Sequence, residues 1–195
     1  MTFYDVAKAV VTAIVRTTFR FRIVGAANVP PTGGLIVAAN HISNFDPPIL
    51  GIAVPRPVSY MAKKELFRIP VLGVVISHLN AFPVDRQAGG TAAIRASIRM
   101  LKEGRCVGIF PEGGRNVTGA NEEKAGAAFL AAASGAPVVP AAIVGTRKLR
   151  PFARVTVAFG EPLRIERNRQ SPADDLEKGA NDIMQRIRTL QESTR

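Results

Sequence analysis

The 195-residue chain contains two histidines, His41 and His78, and histidine is the side chain that titrates near neutral pH without help. His41 follows the apolar run Leu35 to Ala39 directly, through Asn40. That places it at the C-terminal end of a predicted strand, where open α/β sheets build their sites. The segment reads Asn40-His41-Ile42-Ser43-Asn44-Phe45-Asp46-Pro47-Pro48, and a strand-to-helix turn would fold Asp46 back onto His41. A carboxylate on one imidazole nitrogen fixes the tautomer and stabilises the imidazolium, which leaves the other nitrogen to take a proton from an incoming hydroxyl. The same residues also fit a polar loop whose aspartate caps a helix. His78, in an apolar stretch with no carboxylate before Asp85, reads as structural or surface.

Further along, Phe110-Pro111-Glu112-Gly113-Gly114-Arg115 carries an acid and a base on a glycine turn at the end of an apolar run. Glycines let backbone N–H groups approach an anion, and arginine grips phosphate with a two-pronged donor set. The turn lacks the Gly-Lys-Ser/Thr of a Walker loop and the spacing of a dinucleotide fingerprint. Arg86 closes Phe82-Pro83-Val84-Asp85-Arg86, Lys124 precedes an alanine-rich segment, and Lys63 and Lys64 stand at a strand end. Taken alone, each of these cations suits an anion or plain solvent.

The elements that position these residues follow from periodicity. Helical spacing of apolar residues predicts helices over Thr2 to Thr18, Thr91 to Lys102, Ala125 to Ala133 and Pro172 to about Gln191. Strands are expected at Phe19 to Gly25, Leu35 to Ala39, Ser59 to Ala62, Ala81 to Val84, Cys106 to Phe110, Val138 to Val144 and Val155 to Phe159. Strands alternating with helices make an α/β fold, a single domain with a mixed central sheet flanked by helices. The organisation expected is residues 1–24 as an N-terminal membrane-associating amphipathic helix with a first strand, and 25–195 as a catalytic domain. Phe3, Val6, Val10 and Ile14 recur on one face of the first helix. That helix either packs on its own domain or lies in a lipid interface with Lys8, Arg16, Arg20 and Arg22 near headgroups.

Composition narrows the partners. The net charge is +11 and the isoelectric point about 10.8, which favours polyanions: nucleic acid, an anionic leaflet or phosphorylated small molecules. With no tryptophan, two tyrosines and no arginine-rich tract, stacking on bases and nucleic-acid binding are disfavoured. No segment reaches the roughly 20 apolar residues that span a bilayer. The single cysteine, Cys106, makes no intrachain disulfide, and one histidine among few carboxylates is poor metal-ligand material.

The order of the motifs, His41-x4-Asp46, Lys63-Lys64-Glu65-Leu66, Phe82 to Arg86, Phe110 to Arg115 and Ala136-Pro137-Val138-Val139-Pro140-Ala141, resembles the glycerolipid acyltransferase family. The likeness is greatest to its bacterial 1-acylglycerol-3-phosphate members and runs from about Gly25 to Pro162. The resemblance implies roles. His41 is similar to the catalytic base and Asp46 to its orienting acid. Arg86, Glu112, Gly113 and Arg115 resemble acceptor-binding residues, Lys124 matches a lysine often seen after the third motif, and Pro140 resembles a proline tied to the acyl chain. It implies a lysophospholipid acceptor, an acyl thioester on coenzyme A or acyl carrier protein as co-substrate, no cofactor or metal, and peripheral attachment to an anionic membrane at its cytoplasmic face. Gly114 stands where the family usually has threonine, which leaves the acceptor less defined. Cys106 as a covalent nucleophile is the rival mechanism, and direct transfer is expected instead.

Overall fold

The computed structural model describes residues 2–84, 91–113, 125–165 and 172–194. Seven strands form one sheet: β1 (Arg20–Val24), β2 (Leu35–Ala39), β3 (Val58–Lys63), β4 (Ala81–Val84), β5 (Cys106–Ile109), β6 (Val138–Val144) and β7 (Arg154–Phe159), in the order β1-β7-β6-β2-β5-β3-β4. Pairing is parallel throughout except between β6 and β7. The sheet is therefore mixed, as expected, and β1 and β7 run opposite to the other five strands. β2, at the centre, is buried along its whole length, as a strand covered on both faces must be.

Among the described residues the α-helices are α1 (Phe3–Thr18), α2 (Asp46–Ala53), α3 (Leu72–His78), α4 (Thr91–Lys102), α5 (Gly126–Ser134) and α6 (Pro172–Thr194). Residues alternate between the two faces of the sheet. Ile36, Ala38 and Val107 pack under α4, α5 and α6, whereas Leu35, Val37 and Ala39 pack with Ile49, Leu50 and Ala53 of α2. The crossover from β2 through α2 leads toward the β4 edge, and that from β5 through α5 leads back to β6. The chain thus diverges at the C-terminal ends of β2 and β5, the topological position where such sheets leave a crevice.

Several helices differ from the sequence reading. No range is predicted for α2, although a strand-to-helix turn is expected at His41; Pro47 and Pro48 lie in its first turn, where a missing N–H costs no helical bond. α3 was not anticipated either, since seven residues give too short a window for periodicity. β1 pairs with β7 along its whole length, so the sheet crosses the boundary drawn after residue 24.

α1 opens with a capping box: Thr2 Oγ1 accepts from the Asp5 N–H at 3.3 Å and Asp5 Oδ2 accepts from the Thr2 N–H at 2.8 Å. Its inner face buries Tyr4 and Val15, and Tyr4 Oη accepts the Val58 N–H at 3.2 Å. Lys8, expected among headgroups, instead points inward: its Nζ donates to the Val54 carbonyl at 2.5 Å, and burial pushes its pKa down. The outer face exposes Phe3, Val6, Val10 and Ile14. The helix therefore docks on α2 by one face and still presents the apolar stripe read from the sequence. Among the described residues no helix is long and apolar enough to cross a membrane.

Candidate active site

β2 ends at Ala39, and Asn40 extends it by side chain. Asn40 Nδ2 donates to the Ile143 carbonyl at 3.0 Å, and its Oδ1 accepts the Ile143 N–H at 2.7 Å. The amide thus satisfies both backbone groups of the β6 residue beside it, just where the main chain leaves the sheet. His41 is the first residue beyond that tie.

Asp46 begins α2 and is fully buried. One oxygen, Oδ2, receives the His41 Nδ1 at 3.0 Å and the backbone N–H groups of Ile42 and Ser43, both at 2.7 Å. A buried carboxylate persists only with such donors, and the positive end of α2 adds to them. Oδ1 is buried and has no hydrogen-bond partner among the described residues. With Oδ2 accepting, Nδ1 must be the protonated ring nitrogen, which leaves Nε2 with a free lone pair. The His41 side chain is 16% exposed, so the ring is held but reachable. This geometry suits a capped loop and a histidine–aspartate pair alike, since one carboxylate orders the turn and orients the imidazole.

Two further contacts fix the histidine. Its ring stacks on Phe110 with centroids 4.3 Å apart and planes 26° apart, and Phe110 stacks in turn on Tyr60 at 6.2 Å. Tyr60 lies across Gly108, where any Cβ would come within 2.3 Å of the tyrosine ring; the glycine is what lets the stack form. The backbone N–H of His41 donates to Glu112 Oε2 at 3.1 Å. Gly113, at φ 66°, closes the turn by donating to the Phe110 carbonyl at 3.0 Å, and that turn carries Glu112 back over the histidine.

Glu112, read as an acceptor-binding residue, thus has one oxygen on the catalytic loop itself. Truncating it leaves a partly buried N–H unpaired, and bonds to charged acceptors contribute about 1.5–3 kcal/mol. Glu112→Ala is therefore expected to lower kcat by about tenfold or more with little change in acceptor KM, while Glu112→Gln, which keeps an acceptor oxygen, stays within about threefold. Steady-state kinetics on both variants checks this; a loss confined to KM would return Glu112 to acceptor binding alone.

Phe110 and Asn40 were missed as site residues. Their signal was position: a polar residue directly after a fully apolar strand, and an aromatic at the lip of the next one. His78 meets the structural reading, with its Nδ1 at 2.8 Å from the Val74 carbonyl and its ring 4.9 Å from Phe3. Pro140 lies buried in β6 opposite Ala38 and borders an open groove of about 350 Å³ against Gly160 and α6. Glu161, Asp182 and Arg186 line that groove together with Pro140 and Leu190, so charged groups share its wall with apolar ones. Arg86, Gly114, Arg115 and Lys124 lie outside the described residues.

Cys106 is excluded as the nucleophile by placement. It stands beside Leu35, at the far end of β5 from the site, and six steps of extended chain separate Leu35 from His41, about 20 Å. It is buried, and that burial pushes its thiol up to about 12, so the reactive thiolate is scarce.

The chain is similar to known proteins over most of its length. A family model described as Acyltransferase matches residues 20–144. The chain is 34% identical over 178 residues to the 1-acyl-sn-glycerol-3-phosphate acyltransferase of Bacillus subtilis, covering 87% of each sequence. It is 32% identical to the enzyme of the same name from Streptococcus pneumoniae, over 82% of this chain and 61% of that one. The crystal structure of the 1-acyl-sn-glycerophosphate acyltransferase PlsC from Thermotoga maritima superposes with a TM-score of 0.75 at 27% identity, covering 94% of this chain and 77% of that one. With a histidine–aspartate pair held at the end of the central strand, and with these likenesses running over most of its length, the chain belongs to the acyltransferase family and is an O-acyltransferase.

Proposed function

We propose that this enzyme transfers a fatty acyl group from a thioester of coenzyme A or acyl carrier protein to the free hydroxyl of 1-acyl-sn-glycerol 3-phosphate, giving phosphatidic acid. The observation that carries the reading is the 3.0 Å contact of His41 Nδ1 with buried Asp46, in a chain whose relatives bear that activity in their names. His41 Nε2 takes the hydroxyl proton as the oxygen attacks the thioester carbonyl. Asp46 stabilises the imidazolium that forms. Collapse of the tetrahedral intermediate breaks the C–S bond, and the imidazolium proton goes to the departing thiolate, so ester and free thiol leave together.

Arg86 and Arg115 are assigned the acceptor phosphate, on their resemblance and on the two-pronged geometry of guanidinium. Lys124, shortly after the third motif, adds positive charge. The Gly113 N–H is already committed to Phe110, so the donor that meets the oxyanion is another group. The exposed apolar stripe of α1 and the net charge of +11 support peripheral attachment to the anionic cytoplasmic leaflet, where acceptor and product reside.

Release of free thiol from acyl-coenzyme A in detergent micelles, measured across a panel of acceptors, tests the reading. Release that requires 1-acylglycerol 3-phosphate is expected. Faster release with glycerol 3-phosphate or a phosphate-free lysolipid would move the acceptor assignment, and no acceptor-dependent release would leave a basic membrane-surface binding protein.

A further inference from the structure

Among the described residues, three other than glycine adopt positive φ: Val71, Asn80 and Phe152. Left-handed backbone is costly for side chains other than Gly, Asn or Asp, and most of all for β-branched or bulky ones. Asn80 suits it; Val71 and Phe152 do not. Both are nevertheless the tips of exposed turns, at 76% and 70% exposure.

Val71, at φ 66° and ψ −54°, forms a strained γ-turn in which the Leu72 N–H donates to the Pro70 carbonyl at 2.7 Å. Ile69, Leu72 and Val74 beside it are also exposed. Phe152 follows exposed Pro151. If only the turns mattered, glycine would serve at both positions at lower cost.

The two tips flank α1. At its N-terminal end, Phe3 contacts His78, the last residue of α3, which is the helix that Val71 caps. At its C-terminal end, the Phe152 N–H donates to the Thr18 carbonyl at 2.7 Å. Between them runs the exposed stripe of Val6, Val10 and Ile14.

The surroundings of the tips are basic. Arg147, Lys148, Arg150 and Arg154 are exposed around Phe152, and Lys63 and Arg68, with Glu65 between them, are exposed near Val71. Residues 145–160 contain no acidic residue. A second copy of this chain would bring the same charge to this face, whereas an anionic leaflet complements it.

We infer that Val71 and Phe152 are paired wedges which, with α1 between them, seat the enzyme on an anionic lipid leaflet. The inference rests on the proposed membrane-dwelling acceptor. Basic side chains meet the phosphates while each strained tip carries its apolar side chain past the headgroups.

Val71→Gly, Phe152→Gly and the double variant test it, by sedimentation with phosphatidylglycerol–phosphatidylcholine vesicles that contain neither acceptor nor donor. Each single change is expected to lower partitioning about tenfold and the pair about a hundredfold. The melting temperature should hold or rise, because glycine relieves the strain. Lys148→Glu with Arg150→Glu should weaken binding to anionic vesicles and leave binding to pure phosphatidylcholine unchanged. Unaltered partitioning of the glycine variants would overturn the inference. So would equal effects of the charge reversals on both vesicles, or a lipid-free dimer that the glycine variants dissociate. Because no turnover is measured, this outcome is independent of which lipid the enzyme acylates.

Discussion

Asparagine in place of Asp46 is expected to lower kcat on the order of 10³–10⁴-fold. The geometry gives the amide two placements and neither works. With its oxygen at the position of Oδ2, it keeps all three donors, from His41, Ile42 and Ser43, but its NH₂ falls where Oδ1 is now buried with no partner among the described residues. With the NH₂ at the position of Oδ2, two backbone N–H groups face a donor, and the histidine must present a lone pair at Nδ1, which puts its proton on the nitrogen that should accept one. In either placement the negative charge that steadies the imidazolium is gone. Buried groups left unpaired cost about 1–3 kcal/mol each, so a fall in melting temperature accompanies the loss of rate. Single-turnover kinetics on folded protein checks it; a rate within about tenfold of the parent would mean that Asp46 orders the turn and contributes little to proton transfer.

His41→Ala is expected to remove about 10²–10⁴ in rate while sparing the fold. The Asp46 carboxylate keeps the Ile42 and Ser43 N–H groups, and the Glu112 bond is to the His41 backbone, which alanine retains. What disappears is the ring, its contact with Asp46 and its stack on Phe110. Acceptor KM should change little, since the groups assigned to the phosphate lie elsewhere in the chain. Thiol release with and without acceptor, alongside a thermal melt, separates the outcomes: near-normal transfer by a folded variant would sink the general-base assignment.

The contrast between these variants shows what could be read from the sequence. Local features were legible. β2, β4, α4 and β6 fall where periodicity put them, because each has a clean apolar pattern bounded by turn residues. The pair itself was legible because its two members are five residues apart and a strand-to-helix turn has few ways to close. α2 was obscured by its prolines, whose effect depends on whether they sit inside a helix or at its start. Long-range ties were not legible: nothing in the residues near 41 says that Glu112, 71 positions later, accepts that N–H, or that Asn40 stands in for backbone beside Ile143. Such contacts depend on which strands become neighbours, and the β2–β5 and β2–β6 pairings are products of the whole topology. For Arg86 and Arg115 the residues alone left an anion and plain solvent both open, and the resemblance to a family implied the acceptor's phosphate.

The Asn40 tie has a consequence for how such enzymes diverge. The base, its acid and the amide that anchors them occupy seven consecutive residues, Asn40 to Asp46, fastened to β6 at Ile143 and to the turn after β5 at Glu112. The stretches assigned to the acceptor's phosphate follow β4 and β5 instead. On that assignment, chemistry and recognition are encoded in separate pieces of chain that meet at Glu112. A gene duplicate free to drift in the second set can come to acylate a different alcohol without rebuilding the first. Diversification by change of acceptor, with the proton-transfer apparatus inherited intact, is the evolutionary path this architecture leaves open.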